Sequence, residues 1–419
     1  MNASRCEALL ADIDSRAARK IELDLERLPA LLERLDRPHH HLPPVIHIAG
    51  TNGKGSTLAF LKAMLSHAGR RVQAFTSPYL QRVTEEVTLS GGEIEDAHLG
   101  RLLERVDDAS DGIHPTSFEA LTAAAFLAFR EDDADVLLLE TAMGGRLDVT
   151  NVVPSPALTI ITPIAMDHMA FLGDTITAIA TEKAGILKPG TPCVANPQHP
   201  DAVQVIRDRA ASLGNVLRLA GEDFVVDPDN GRFAGNETFN LPALSLPGPH
   251  QWDNAALAVA AMEVFAPDLL PDAVAGLSRT EWPARMQRLT DKDREIWVDG
   301  GHNPHAAGAM AAAISAMPPK RLAMIVAMLD NRPLDEFLEP FRSLDPLVIG
   351  VPLPSRPVYA VGNPMTPQSI AAVAGKAGFR SSTAESVQQA LDHLSGPTAD
   401  ARVLVTGSLY LAGAVLPVR

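Results

Sequence analysis

The chain has 419 residues, 46% of them apolar, so it can bury a large core, and its length favours two or three domains over one. Thirty-six basic against fifty-one acidic residues give a formal charge of −15, which argues against nucleic-acid or anionic-membrane partners but leaves small anionic substrates open, since these respond to the field inside a cleft. Two cysteines, Cys6 and Cys193, are too few for a disulfide framework and too far apart for a zinc pair, and no signal-peptide pattern or membrane-length apolar run occurs, so a reducing, cytoplasmic setting is expected.

Apolar residues recur at helical spacing from Ile21 to Leu35 and predict a helix ahead of the first strand. Pro43-Pro44-Val-Ile-His-Ile48 then reads as a buried strand breaking into a glycine-rich loop, Gly50-Thr51-Asn52-Gly53-Lys54-Gly55-Ser56-Thr57, and a helix N-terminus. Val72–Phe75, Val136–Leu139 and Leu158–Ile161 are short apolar runs without alternation, as parallel strands buried on both faces require, and Leu121–Phe129 and Ala178–Leu187 read as covering helices. This alternation predicts an α/β fold: a P-loop, doubly wound, mostly parallel sheet domain. Leu219–Pro249 is turn-rich and suggests a small antiparallel excursion, followed by a helix over Trp252–Phe265. Glu281–Arg294, with Pro283 and a dense charge cluster, is the linker candidate, which divides the chain into an N-terminal domain, 1–285, and a C-terminal domain, 286–419. The second is expected to be a smaller Rossmann-like α/β domain, with strands at Ile296–Val298, Ala323–Ala327, Leu347–Gly350 and Val403–Val405 and a close-packed alanine-rich helix over Ala306–Ala316.

The glycine-rich loop carries the first chemistry. Gly50, Gly53 and Gly55 permit backbone N–H groups to approach phosphate oxygens, and Lys54 supplies a cation. The match to the usual P-loop is incomplete, because Ile48 replaces its first glycine and Gly55 its hydroxyl residue, with Ser56 and Thr57 supplying the hydroxyl late. Glu140 ends a buried strand, where a carboxylate can hold Mg²⁺ against phosphates, and a glycine pair with Arg146 and Asp148 follows. The adjacent Arg146 and Asp148 could equally form a surface pair. Asp167-His168 leaves the next strand. Lys183 and Lys188, near a helix end, could be two solvated lysines. Beyond the linker candidate, Asp299-Gly-Gly-His302-Asn303-Pro304 places an acid, a turn and an imidazole after a strand. Arg285 is placed to reach phosphates across an interdomain cleft. Thr406-Gly-Ser408-Leu-Tyr410 closes the last strand with hydroxyls expected to face one direction.

Together Gly50-Thr-Asn-Gly-Lys-Gly-Ser56, Thr76-Ser-Pro-Tyr79, Glu140-x-x-x-Gly-Gly-Arg-Leu-Asp-x-Thr-Asn151, Asp167-His168, Glu182-Lys-Ala-Gly-Ile186 and Asp299-x-x-His-Asn-Pro304 resemble folylpolyglutamate synthase/dihydrofolate synthase, related to the Mur ligases. The resemblance spans residues from about 20 to 412. It implies ATP-dependent amide formation, in which a carboxylate attacks the γ-phosphate and L-glutamate displaces phosphate from the acyl phosphate. It assigns the loop and Lys54 to the phosphates, Ser77 and Glu140 to one Mg²⁺, His168 to a second, and Lys183 to a lysine that is carbamylated. Asn254, Arg285, Asp299 and His302 match ATP contacts, and Ser408 would help receive glutamate. Phe118, Glu119 and the Gly145-Arg146-Leu-Asp148 run resemble the branch that also binds dihydropteroate, by stacking and by a carboxylate on the aminopyrimidine edge. Tyr79, where histidine is common, and Ala284, where glycine is usual, are departures. The resemblance therefore implies a cytoplasmic, monomeric ligase of small molecules, making dihydrofolate from dihydropteroate and extending reduced folates.

A Mur-type ligase on a nucleotide-linked peptide precursor is the nearest rival. Such enzymes usually carry a further domain before the loop, whereas here only the stretch up to His47 precedes it. A nucleotide-gated switch is disfavoured because it needs no second constellation such as Asp299–His302.

Overall fold

The computed structural model describes residues 4–17, 25–290, 294–354, 362–394 and 400–417. Two compact units are present, Met1–Ser245 with Trp252–Glu281, and Leu246–Gln251 with Trp282–Arg419.

The first unit is built on eight strands: β1 (Val45–Ala49), β2 (Val72–Phe75), β3 (Val87–Leu89), β4 (Gly92–Glu93), β5 (Val136–Glu140), β6 (Leu158–Ile161), β7 (Cys193–Ala195) and β8 (Leu217–Leu219). Their order is β4-β3-β2-β5-β1-β6-β7-β8, with β2, β5, β1, β6, β7 and β8 parallel and β3 and β4 added antiparallel at one edge. Every residue of β1, β2, β5 and β6 is buried, as expected for strands covered on both faces. The register aligns Ile48 with Glu140, Ala49 with Ile161 and Phe75 with Leu139. Gly50, Ser77, Glu140 and Thr162 therefore all lie at the carboxyl edge of the sheet, where open α/β sheets bind ligands.

The helices Arg5–Arg16, Arg27–Arg34, Asp96–Ala109 and Ser117–Glu131 contribute to one core cluster, and Ile176–Ala184 and Pro200–Leu213 to another. A three-stranded antiparallel sheet follows: β9 (Val225–Asp227), β10 (Arg232–Ala234) and β11 (Thr238–Asn240). Buried Glu263 of the helix His250–Phe265 secures it, accepting from Arg218 Nη1 at 2.7 Å and from the Glu237 amide at 3.0 Å. In the second unit β12 (Gln287–Thr290), β13 (Glu295–Val298), β14 (Leu322–Val326), β15 (Leu347–Gly350), β16 (Arg380–Thr383) and β17 (Arg402–Thr406) form one sheet in the order β12-β13-β17-β14-β15-β16. All neighbours are parallel except β12 with β13.

The α/β class and the antiparallel excursion agree with the sequence reading. The division between the two units falls at Glu281 and Trp282, inside the segment read as a linker, but Gln287–Thr290 of that segment pairs with β13 as an edge strand. An edge strand needs only one row of ladder partners, so its polar residues hide it from an apolar-run search. Residues 291–293, part of that charge cluster, lie outside the described residues. So do Ile21–Asp24 of the first predicted helix, of which Arg27–Arg34 is described as helical. The helix expected to Leu187 stops at Ala184, with Gly185 as its C-cap.

Candidate active site

Gly50 leaves β1 with φ +151°, and a Cβ there would lie 1.8 Å from Thr162 Oγ1, so no side chain fits between this turn and the strand beside it. Thr51 is pinned as well: its amide donates to Pro163 O at 2.9 Å and its hydroxyl to Ala165 O at 3.1 Å. The Asn52 amide also faces Pro163 O, at 3.4 Å. These two amides hold the loop to the segment after β6, a different task from the phosphate contact expected of them. Gly53, at φ 88°, is the N-cap of the helix Lys54–His67 and has no side chain to bond the first-turn amides. The N–H groups of Lys54, Gly55 and Ser56 thus form a helix N-terminus suited to an anion. A Cβ on Gly53 would meet Asn254 Oδ1 at 2.6 Å, which places Asn254 against the loop.

Two lysines converge on Gly50 O, and Glu140 stands beside one of them. Lys54 Nζ donates to Gly50 O at 3.2 Å and to Thr51 O at 3.4 Å, and lies 3.9 Å from Glu140 Oε1. Lys183 Nζ donates to the same Gly50 O at 2.7 Å. Lys183 is only 4% exposed, so it is not the solvated lysine its helix-end position allowed. Burial, and after it the neighbouring Lys54 charge, hold the Lys183 amine well below the usual lysine range, against a smaller opposing pull from Asp148.

Around this cluster several hydroxyls are buried without a hydrogen-bond partner: Thr57 Oγ1, Ser77 Oγ, Thr141 Oγ1 and Thr162 Oγ1. Buried polar atoms are normally paired, so this concentration marks a place built for a polar guest. Ser77 Oγ and the buried Glu140 carboxylate are hard oxygen donors suited to Mg²⁺, which typically takes one or two protein oxygens and fills the rest of its shell with phosphate and water. Among the described residues no group of three or more His, Cys, Asp and Glu could hold a metal ion by itself. His168 follows β6 in a left-handed conformation, φ 50°, its amide donating to Asp167 Oδ1 at 2.7 Å.

The residues expected at the pterin have internal partners. Asp148 is buried and accepts from Thr150 Oγ1 at 2.6 Å, Thr150 N at 3.0 Å and Met143 N at 2.8 Å, and burial raises its carboxyl above the ordinary value. The surface pair considered for Arg146 and Asp148 does not form, since Arg146 bonds Glu182 Oε1 at 2.8 Å. Glu119 caps its own helix, accepting from the Thr116 amide at 2.7 Å, and also takes Arg27 Nε at 3.2 Å. Phe118 is half-buried, its ring centroid 6.1 Å from that of Phe75.

In the second unit Asp299 closes a tight turn, accepting from Met286 N and Gly301 N, each at 2.8 Å. Arg285 lies between two left-handed residues, Ala284 at φ 55° and Met286 at φ 42°. Alanine here adopts a conformation that favours glycine. Arg285 Nη1 donates to Ala284 O at 2.9 Å and His302 Nδ1 lies 3.1 Å from Gly300 O. Ser408 is an N-cap, accepting from Tyr410 N at 3.1 Å, whereas the Thr406 hydroxyl bonds Gly301 O at 3.3 Å. These two hydroxyls therefore serve different elements.

Sequence reading passed over Thr141 and Thr162, whose signal was available: each directly follows a buried strand at the ligand edge. It also passed over His47, fully buried in β1, whose Nε2 lies 2.8 Å from Thr150 Oγ1.

Residues 48–262 match the Mur ligase middle domain and residues 284–409 the Mur ligase glutamate ligase domain. The dihydrofolate synthase/folylpolyglutamate synthase of Bacillus subtilis is 35% identical, over 75% of this chain and 77% of its own length. Escherichia coli FolC in complex with DHPP and ADP superposes with a TM-score of 0.87 at 29% identity, covering 99% of this chain and 97% of that one. The bifunctional enzyme of Yersinia pestis complexed with AMPPNP and Mn ion gives 0.87 at 29% identity, with 99% and 98% covered. With both Mur ligase domains in place and its loop, strand-edge carboxylate and buried lysine gathered at one sheet edge, the chain belongs to the folylpolyglutamate synthase/dihydrofolate synthase family of the Mur ligases.

Proposed function

We propose that this protein joins L-glutamate to pterin and folate carboxylates at the expense of ATP, making dihydrofolate from dihydropteroate and lengthening reduced folates. The observation that carries this reading is the convergence of Lys54 and Lys183 on Gly50 O, with Glu140 3.9 Å from Lys54, beside a helix N-terminus without a side-chain cap. Lys54 and the first-turn amides hold the β- and γ-phosphates of ATP. A carboxylate oxygen of the pterin substrate attacks the γ-phosphorus, and the bond to ADP breaks. The glutamate amine then attacks the acyl carbon, the nitrogen gives up one proton, and the tetrahedral intermediate expels phosphate to leave the amide. The protein's part is to align the attack and neutralise charge.

Ser77 and Glu140 would hold one Mg²⁺ and His168 a second. When bound, the ions neutralise phosphate charge. Lys183 would be carbamylated: its neutral amine adds to CO₂ with loss of a proton, turning a buried cation site into an anionic one. The low basicity that burial imposes favours the neutral, nucleophilic amine. Phe118, Glu119, Arg146 and Asp148 lie on the pterin side. We assign the ATP phosphates to the N-terminal domain, 1–285, further ATP contact to Arg285, Asp299 and His302, and glutamate reception to the C-terminal domain with Ser408. The working form would be a cytoplasmic monomer without nucleic-acid or membrane partners, and no helix among the described residues is long and apolar enough to cross a membrane.

The test is glutamate-dependent phosphate release with dihydropteroate and, separately, with tetrahydrofolate, the products identified by mass. Each is expected to gain one or more glutamyl residues. Turnover of only one pterin would remove half of the proposal, and turnover of neither would overturn it.

A further inference from the structure

His250 opens the helix His250–Phe265 and belongs, through Leu246–Gln251, to the same compact unit as Arg285 and Asp299. Its Nε2 lies 3.1 Å from the side-chain nitrogen of Gln251. An amide nitrogen only donates, so His250 Nε2 is the acceptor and, in the neutral ring, the proton sits on Nδ1. That Nδ1 is buried and has no hydrogen-bond partner. Burial first, then the charges of Arg285 and His305, hold the imidazole below its ordinary value against an upward pull from Asp299, so the ring is neutral at neutral pH.

The ring position is built in. Gly248, at φ +113°, lies under the imidazole, and a Cβ there would come within 2.6 Å of His250 Cε1 and 2.9 Å of Nδ1. Any other residue at 248 would push the ring away. The ring thus presents a donor with no protein acceptor, in the same compact unit as Asp299, whose two carboxylate oxygens each accept one backbone amide and keep a further lone pair. A donor and an acceptor acting together are what a sugar hydroxyl requires, because it accepts through its lone pairs and donates its proton.

On the reading that Arg285 and Asp299 meet the nucleotide, we propose that His250 is a nucleotide-positioning residue whose Nδ1–H donates to a ribose hydroxyl of ATP while Asp299 accepts from that sugar. The buried N–H costs free energy in the free protein, and the sugar relieves it on binding.

The experiment compares ATP with its 2′-deoxy and 3′-deoxy forms in the wild type and in His250→Phe, His250→Gln and His250→Asn. In the wild type, loss of the hydroxyl that meets His250 should raise KM for the nucleotide about fivefold to tenfold, the effect of one hydrogen bond. His250→Phe and His250→Gln should raise KM for ATP by about the same factor. They should leave KM for glutamate and for that deoxynucleotide unchanged, erasing the discrimination. His250→Asn, whose amide nitrogen can take the place of Nδ1, should retain it. Equal discrimination in His250→Phe and wild type, or none in wild type, would overturn the proposal. A wild-type protein that does not saturate with ATP at all would instead overturn the functional reading beneath it. A merely structural role would lower thermal stability and affect both nucleotides alike.

Discussion

Lys54 and Lys183 both donate to Gly50 O, at 3.2 Å and 2.7 Å, and two full positive charges sharing one carbonyl repel. The arrangement is stable because burial and Lys54 together favour the neutral form of Lys183. Lys54, 3.9 Å from Glu140, is thereby left as the cation proposed for the phosphates. Lys54→Ala should lower kcat/KM for ATP by at least about 10²-fold, the scale of removing one transition-state charge contact, with an unchanged thermal midpoint. Near-normal turnover by that variant would refute the phosphate assignment. A second residue-scale effect is proton-linked. His47 is fully buried, and burial, with a smaller contribution from Lys188, lowers its pKa from 6.5 to about 3. Between those values the unfolded chain takes up a proton that the folded chain refuses, so stability falls as pH drops from 6.5 towards 3. Replacing His47 by a residue that does not titrate should flatten the pH dependence of the urea midpoint in that window. An unaltered slope would show that His47 does not carry it.

At the scale of elements, the site depends on close approaches that leave no room for side chains. A Cβ on Gly145 would lie 2.7 Å from Glu182 O and 2.9 Å from Lys183 O, so the turn after β5 rests directly on the end of the helix that carries Lys183. Gly145→Ala should cost about 1–3 kcal/mol of stability through overpacking. It should also lower kcat, because the helix end must shift. Urea denaturation and steady-state kinetics on one preparation check both, and a loss of stability with unchanged kcat would separate the turn from catalysis. The strands that sequence reading found were those written as continuous apolar runs: β2, β6 and β15 have the predicted bounds, and Glu140 sits at the end of its strand as expected. What it missed depends on pairing. β12 is polar and recognisable only by its ladder with β13. The short β7 and β8 complete a sheet their own few residues do not announce. At the site the loop, Lys54 and Glu140 were legible because their chemistry is local. The burial of Lys183 and the Asp148–Thr150–His47 chain were not, since each is made by segments that meet only in the fold.

For the molecule as a whole, a formal charge of −15 coexists with a site meant for one of the most anionic metabolites. The two are compatible because exposed charges are screened beyond about 8 Å at physiological salt, whereas buried charges act locally. On the proposed assignment, Lys54, the helix N-terminus beside it and the Gly50 turn would determine the field that phosphate meets. Each compact unit follows the same plan, a mostly parallel sheet presenting its chemistry at carboxyl ends, with Glu140 ending β5 in the first and Asp299 following β13 in the second. The central claim is that the pterin carboxylate itself attacks the γ-phosphate. It is tested most directly with dihydropteroate carrying ¹⁸O at both oxygens of its carboxyl group, incubated with ATP and glutamate. The account predicts one ¹⁸O in each inorganic phosphate released, transferred as the acyl phosphate collapses. Phosphate free of the label, formed while the amide is made, would contradict it.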